Sequence, residues 1–260
     1  MTAAASPFDA LAANYDAEFT ATPLGQRLRR AVWRQLDAAF SRGACVLDLG
    51  CGTGEDAVHL AARGVSVHAL DASPSMADAA LAKAAREGVA GRVRVETRPI
   101  EALDGLRGGP FDGAYSNFGA LNCVADLGAS ARALASLLRP GAPLVLVLMG
   151  RAVPWEWAWS FLHGEARKAF RRYSRRGVAW RGLTVVYPGL RSVRRAFAPG
   201  FAFREARAIG ALLPPTYAGR WADRHPGLLD VLDRAERRLE GVWPLPRLAD
   251  HVLLRFERAS

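Results

Sequence analysis

Val46-Leu47-Asp48-Leu49-Gly50-Cys51-Gly52-Thr53-Gly54 is the stretch that decides how this chain folds. A short apolar run carrying one carboxylate passes into three glycines at alternate positions. Glycine has no Cβ, so such a backbone can turn tightly and let a ligand approach it closely. The spacing is GxGxG, whereas dinucleotide-binding turns use GxGxxG. A helix is expected over residues 55–63, stopped by Gly64, glycine being favoured just past a helix end.

Working outward, residues 65–70 read as a second strand ending at Asp71. Ser73 and Pro74 have the character of an N-cap and a first helical residue, and Gly88 closes that helix. Residues 93–97, 111–116 and 143–149 follow as strands three to five, with a helix over 130–138 and a sharp stop at Arg139-Pro140-Gly141. This alternation predicts an α/β fold with a parallel sheet covered on both faces. Ahead of the sheet, residues 27–40 read as a helix. A carboxylate at the tip of strand two, Asp71, can accept from both hydroxyls of a ribose.

After Gly150 the rhythm changes. Residues 154–173 hold Trp155, Trp157 and Trp159. An amphipathic helix is expected next, with Leu162, Ala166, Ala169, Phe170 and Tyr173 on one face. Arg167, Lys168, Arg171, Arg172, Arg175 and Arg176 fall on the other. A strand at 184–187, a helix at 192–197, a strand at 201–209, a helix at 227–239 and a last strand at 251–257 complete the expectation.

The 260 residues, half of them hydrophobic, suit one α/β domain with insertions. No apolar run approaches the ~20 residues that span a bilayer. The N-terminal MTAAASPFDA lacks the early basic residues of a secretory signal. Cys45, Cys51 and Cys123 stand at no metal-ligand spacing, so no metal is expected, and a reducing cytoplasm without disulfides is the simplest setting. The net charge of +10, concentrated in the second half, fits either an anionic partner or plain codon bias.

DLGCGTG (48–54) followed by VHALDASPSM (67–76) resembles motif I and the next acidic loop of class I S-adenosylmethionine (SAM)-dependent methyltransferases. The likeness continues in order through FDGAYSNFGALN (111–122) and LLRPGAPLVLVLMG (137–150). It implies a three-layer Rossmann-like fold: a seven-stranded, mostly parallel sheet with a reversed final hairpin and a cap built from insertions after strand five. It divides the chain into a helical segment over the cofactor (1–40), a SAM-binding core (41–150) and a substrate cap with the final strands (151–260). Carried over by residue, Gly50, Cys51, Gly52 and Gly54 line the methionine and ribose of SAM. Asp48 supports the turn or the amino group, Asp71 holds the ribose, and Ala72, Ser73 and Met76 border the adenine. Tyr15, in Phe8-Asp9…Asn14-Tyr15-Asp16, matches a segment that closes over SAM. Where many relatives carry Asp-Ala after strand three, this chain has Pro99-Ile100; proline offers neither donor nor carboxylate, so Ile100 and Glu101 are expected to serve the ring.

SAM brings an activated methyl group, which leaves the protein to align the acceptor, exclude water and, for a protonated nucleophile, remove a proton. Family positions after strand four are Ser116 beside the cofactor, Asn117 near the reaction, Phe118, and Asn122 toward the substrate. Candidate bases are Glu156, His163, Asp126 and Tyr187, with unaided proximity as the alternative. Trp155, Trp157, Tyr187 and Tyr217 suit an acceptor that is a small aromatic or apolar metabolite methylated on O or N. An RNA or protein methyltransferase using the basic stretch 165–176 is the second reading. A nicotinamide oxidoreductase or a non-catalytic SAM binder is the remotest, and the glycine spacing argues against the nicotinamide enzyme.

Overall fold

The computed structural model describes residues 6–165, 169–174 and 176–260, apart from the side chains of Tyr217 and Arg220. Strands β1 (Cys45–Leu49), β2 (Ser66–Asp71), β3 (Val93–Thr97), β4 (Gly113–Ser116) and β5 (Pro143–Met149) run parallel. Strands β8 (Phe201–Ile209) and β9 (His251–Arg258) complete a seven-stranded sheet among the described residues, in the order β3-β2-β1-β4-β5-β9-β8. β9 is antiparallel to both neighbours, giving the expected reversed hairpin. The chain moves outward from β1 to β3 and then returns to the other side of β1. That reversal opens a crevice at the carboxyl ends of β1 and β4, where open α/β sheets take ligands.

Side chains alternate between the two faces as the pleat requires. Leu144, Leu146 and Leu148 of β5 pack on one side with helices α4 (Leu127–Leu137) and α6 (Leu190–Phe197). Val145 and Val147 face the other core, shared with α1 (Pro23–Ala39) and α2 (Glu55–Ala62). The second crossover helix, α3 (Pro74–Arg86), starts where Ser73 accepts from the Met76 N–H and Pro74 takes the first turn. Gly64 and Gly88 close the helices before them at φ +88° and +70°.

The second half departs from expectation in one stretch. Pro154 starts a helix among the tryptophans, α5 (Pro154–Leu162), and Gly164 at φ +73° follows it. The amphipathic helix expected from Leu162 to Tyr173 therefore does not continue from the tryptophans. Residues 171–173 form one 3-10 turn, and Ala166, Arg167, Lys168 and Arg175 lie outside the described residues. A hairpin of β6 (Val178–Trp180) and β7 (Leu183–Val185) follows, turned by Arg181 and Gly182 at φ +46° and +84°. Two adjacent residues with positive φ match the twist of a two-residue hairpin turn. Helices α7 (Gly219–Arg224) and α8 (Pro226–Leu239) lead to β9.

Candidate functional site

A cavity of about 660 Å³ opens at the carboxyl edge of the sheet. Its floor is the glycine turn and the tip of β2, with Gly50, Gly52, Asp71, Ala72 and Met76. Ile100 and Glu101 form one side, and Asn117 through Ala120, in the loop after β4, form another. Phe8, Leu11, Tyr15 and Phe19 of the N-terminal segment close it from above, and the β6–β7 hairpin with Tyr187 makes the far wall.

The N-terminal cover is fastened by two carboxylates. Asp9 accepts from the Ser73 hydroxyl and the Ser75 N–H, at the start of α3. Asp16 accepts from Thr53 at 2.7 Å and pairs with Lys83 at 2.7 Å, while the same ammonium also meets Glu55. These bonds bring Tyr15 to the cavity. Its hydroxyl is pushed above the usual tyrosine range by burial.

Asp71 accepts the Gly52 N–H at 2.8 Å through one oxygen and the Ser73 N–H at 2.9 Å through the other. An ionised carboxylate has about four lone-pair sites, so each oxygen retains capacity. Burial nonetheless raises its pKa. The three glycines have different reasons. A Cβ on Gly52 would meet nothing within 4 Å, so this residue faces open space in the cavity. On Gly50 it would stand 2.4 Å from the Ala120 methyl, and on Gly54 2.7 Å from the Ala80 methyl. Gly54 thus permits close packing onto α3 and lies away from the cavity wall, a correction to its expected place beside the ligand.

Beneath the loop after β4 sits a buried polar network. Asp56 accepts from Arg29 (2.9 Å), Trp33 (2.7 Å) and Asn117 (2.9 Å). Burial opposes its charge, yet Arg29 and the Asn117 amide hold it below the ordinary aspartate value. The Asn117 carbonyl Oδ1 is buried with no hydrogen-bond partner among the described residues, and Asn117 lines the cavity. Above it, Arg29 lies over the rings of Phe118 (5.0 Å) and Phe19 (5.5 Å).

Several expected residues sit elsewhere, each for a visible reason. Asp48 is 2% exposed and bonded to the Tyr115 hydroxyl; burial, then Asp56, push its carboxyl well above the aspartate range. Cys51 lies outside the cavity and packs against the core on the α1 side. Ser116 points back to the Leu49 carbonyl at 2.7 Å. Asn122 is fully buried, donating to the Val186 carbonyl and accepting from the Met149 N–H, so it clamps the exit of β7 onto β5. Asp126 caps α4 by accepting from Ala129.

Glu156 is 2% exposed and lies against Arg171 (2.9 Å) and Arg172 (2.7 Å), contacts that are charge pairs without hydrogen-bond alignment. His163 is exposed, stacked on Trp159 and bonded to its carbonyl. Neither lines the cavity, which removes both from the candidate bases. Trp155 donates to the Leu212 carbonyl, and Trp157 packs on Phe170 and Tyr173, so these belong to the cap's own packing. Tyr217 falls in a described turn, but its side chain lies outside the description.

Phe118, expected after strand four, lines the cavity, which also holds residues that sequence reasoning did not place there: Phe19, Met149, Arg172, Asp250 and His251. Phe118 has φ +49°, a left-handed backbone for a bulky residue, which costs roughly 1–2 kcal/mol. Arg172 donates to Asp250 Oδ1 (2.8 Å) and the Gly150 carbonyl (3.1 Å) and covers the Tyr187 ring. Two of the six cations expected on a basic surface, Arg171 and Arg172, therefore engage Glu156, while Arg176 is exposed.

A crossover turn over an acidic strand tip, a reversed final hairpin and an N-terminal cover define a methyltransferase fold, and comparison with known proteins agrees. The profile of a methyltransferase domain family matches residues 46–141. A ubiquinone biosynthesis O-methyltransferase of Xanthomonas axonopodis pv. citri is 38% identical over 109 residues, 42% of this chain and 44% of that protein. The chain thus matches less than half the length of that relative. A malonyl-[acyl-carrier protein] O-methyltransferase of Pseudescherichia vulneris is 32% identical over 211 residues, 78% of this chain and 76% of the relative. The solved structure of an S-adenosylmethionine-dependent methyltransferase from Mesorhizobium loti superposes with a TM-score of 0.60 at 21% identity, covering 89% of this chain and 98% of that one. The chain belongs to the class I SAM-dependent methyltransferases, and SAM is its cofactor.

Proposed function

We propose that this protein transfers the SAM methyl group to an oxygen of a small, partly aromatic or apolar metabolite. The supporting observation is the covered cavity of about 660 Å³, within the roughly 300–1,000 Å³ of small-ligand sites. A polynucleotide or folded protein needs an open track, and Arg172, buried against Glu156 and Asp250, is a cation withdrawn from the face that would serve one. That two relatives are named O-methyltransferases supports oxygen as the acceptor atom.

The residues present fit the cofactor. Asp71 keeps lone pairs for the ribose hydroxyls, Gly52 leaves the cradle open, and the orphaned Asn117 Oδ1 suits the ammonium of the methionine end. Tyr15, Ala72, Met76, Ile100 and Glu101 would wall the adenosine. When bound, SAM supplies a methyl group already activated by its sulfonium. The chain's own work is to align an acceptor near Asn117 and Phe118 and to keep water out beneath residues 6–20. On this reading residues 1–40 cover the cofactor, 41–150 bind it and 151–260 form the acceptor cap with the last strands. The free thiols of Cys45, Cys51 and Cys123 support a reducing compartment, and no helix among the described residues is long and apolar enough to cross a membrane.

Calorimetry with SAM, S-adenosylhomocysteine and NAD, followed by methyl transfer from labelled SAM to a panel of phenols, catechols and total RNA, tests the proposal. SAM binding with turnover of a phenolic acceptor is expected. Labelling of RNA alone, falling steeply with salt as phosphate contacts require, would replace it with the RNA reading.

A further inference from the structure

His251 opens β9, and because β9 is antiparallel its first residue reaches the same sheet edge as the last residue of β5, Met149, its register partner. The imidazole lines the cavity and meets the Phe118 ring edge-on at 5.4 Å, beside the loop after β4. Its Nδ1 stands 3.2 Å from Asp250 Oδ2, off the line of a good hydrogen bond. Asp250 is fixed in turn: Arg172 holds its other oxygen, and its carbonyl accepts from Gly150 and Arg172. Nε2 has no hydrogen-bond partner among the described residues.

Resting on the methyltransferase reading, we infer that His251 is the general base of the reaction, that Asp250 positions it, and that the acceptor group is a hydroxyl whose proton must leave. A carboxylate acceptor is already ionised at neutral pH and needs no base, whereas a phenol near pKa 10 does. The acceptor oxygen gives its proton to Nε2 and an electron pair to the methyl carbon. The bond from that carbon to sulfur breaks with its pair left on sulfur, and the sulfonium charge is replaced by that of the imidazolium. The charged groups beside the ring are Asp250 and, paired to it, Arg172. Phe118 supplies an apolar face and carries Arg29 over its ring, while Arg172 in turn meets Glu156 and the Tyr187 ring. Burial resists ionisation of Asp250, yet His251 and Arg172 hold its carboxyl well below the aspartate range, so the orienting charge persists throughout the working pH. This division of labour, a base nitrogen toward the substrate and a carboxylate on the other ring nitrogen, is the triad logic applied to two residues.

The test reads the ring directly. Long-range ¹⁵N–¹H spectra of the protein with S-adenosylhomocysteine, the His251 signals assigned by loss in His251→Gln, should show the neutral ring protonated on Nδ1, leaving Nε2 as acceptor. Asp250→Asn should switch it to the Nε2–H tautomer. Arg172 would claim the amide oxygen and leave the amide NH₂ toward Nδ1. With a series of ring-substituted phenols, His251→Gln should lower kcat by about 10²–10⁴ while SAM affinity stays within twofold, the loss shrinking as the phenol becomes more acidic. Imidazole added to His251→Ala should restore part of the rate. An Nε2–H tautomer in the native protein overturns the inference, as does a His251→Gln variant that keeps its rate. Absence of SAM binding would instead defeat the methyltransferase reading beneath it.

Discussion

The Lys83 ammonium and the Asp16 carboxylate meet at 2.7 Å, joining the cavity's cover to the helix below the glycine turn. Lys83 is nearly buried and Asp16 is 42% exposed at the side chain. The two ends should therefore respond unequally. Asp16→Asn gives up an exposed pair, about 0.2–1 kcal/mol, and should speed SAM release by about 1.5–5-fold. Lys83→Met leaves Asp16 and Glu55 facing each other without a cation and should cost more in both stability and SAM affinity. Stopped-flow release and thermal midpoints check the order.

Asp71→Ala should weaken SAM binding by about 1.5–3 kcal/mol, the range for hydrogen bonds to a charged group, in a variant that remains folded. Calorimetry reads it directly, and unchanged affinity would remove Asp71 from the ribose.

Gly52 and Gly54 should separate binding from folding. Gly52→Val projects into open cavity space and should abolish SAM binding, with a stability cost near the ~1–2 kcal/mol of a left-handed non-glycine residue. Gly54→Ala drives a methyl to 2.7 Å from Ala80 and adds overpacking of about 1–3 kcal/mol. Denaturation midpoints should fall further for Gly54→Ala.

Arg29 is buried against Asp56 with only 6% and 9% of the two side chains exposed. Arg29→Met strands a buried carboxylate and should cost about 3–5 kcal/mol. Asp56 titrates lower when folded, so its contribution is complete above the unfolded aspartate pKa and is lost as pH falls through the folded value. The penalty of Arg29→Met should shrink on acidification, measured by urea midpoints from pH 7 downward.

Asp48 has the opposite sign. Its folded pKa lies above the unfolded one, so the native state binds the extra proton and stability falls as pH rises between the two values. Asp48→Asn removes that dependence and should gain on the native protein as pH rises above the ordinary aspartate value. A gain that is flat with pH would show that Asp48 is ionised in the fold.

Strands β1 to β5 were legible because short apolar or alternating runs stand between glycine, proline and helix-cap signals, and Pro143–Met149, Val93–Thr97 and Phe201–Ile209 fall at their expected bounds. Asp71, Gly52 and Met76 were legible as cavity residues because the two motifs cover the turn, the tip of β2 and the start of α3. Direction was not. Ser116 and Asn122 stand at the right end of β4, yet their polar atoms bond back to Leu49, Val186 and Met149. Glu156 looked available only while its arginines, 15 and 16 residues away, were assumed to face water. Asp250 and His251 escaped notice because catalytic positions were sought at strand ends, and an antiparallel strand brings its beginning to that edge.

The insertion of β9 between β5 and β8 also bears on how the chain is made. As the ribosome delivers residues from the N-terminus, β5 can join β4 at once, but its other edge waits for about 100 further residues, roughly 5–20 s of synthesis. During that interval PLVLVLM presents an unpaired, uncharged strand edge, the kind that recruits foreign strands. Truncated products ending before residue 251 should therefore precipitate or engage chaperones instead of accumulating as a smaller methyltransferase.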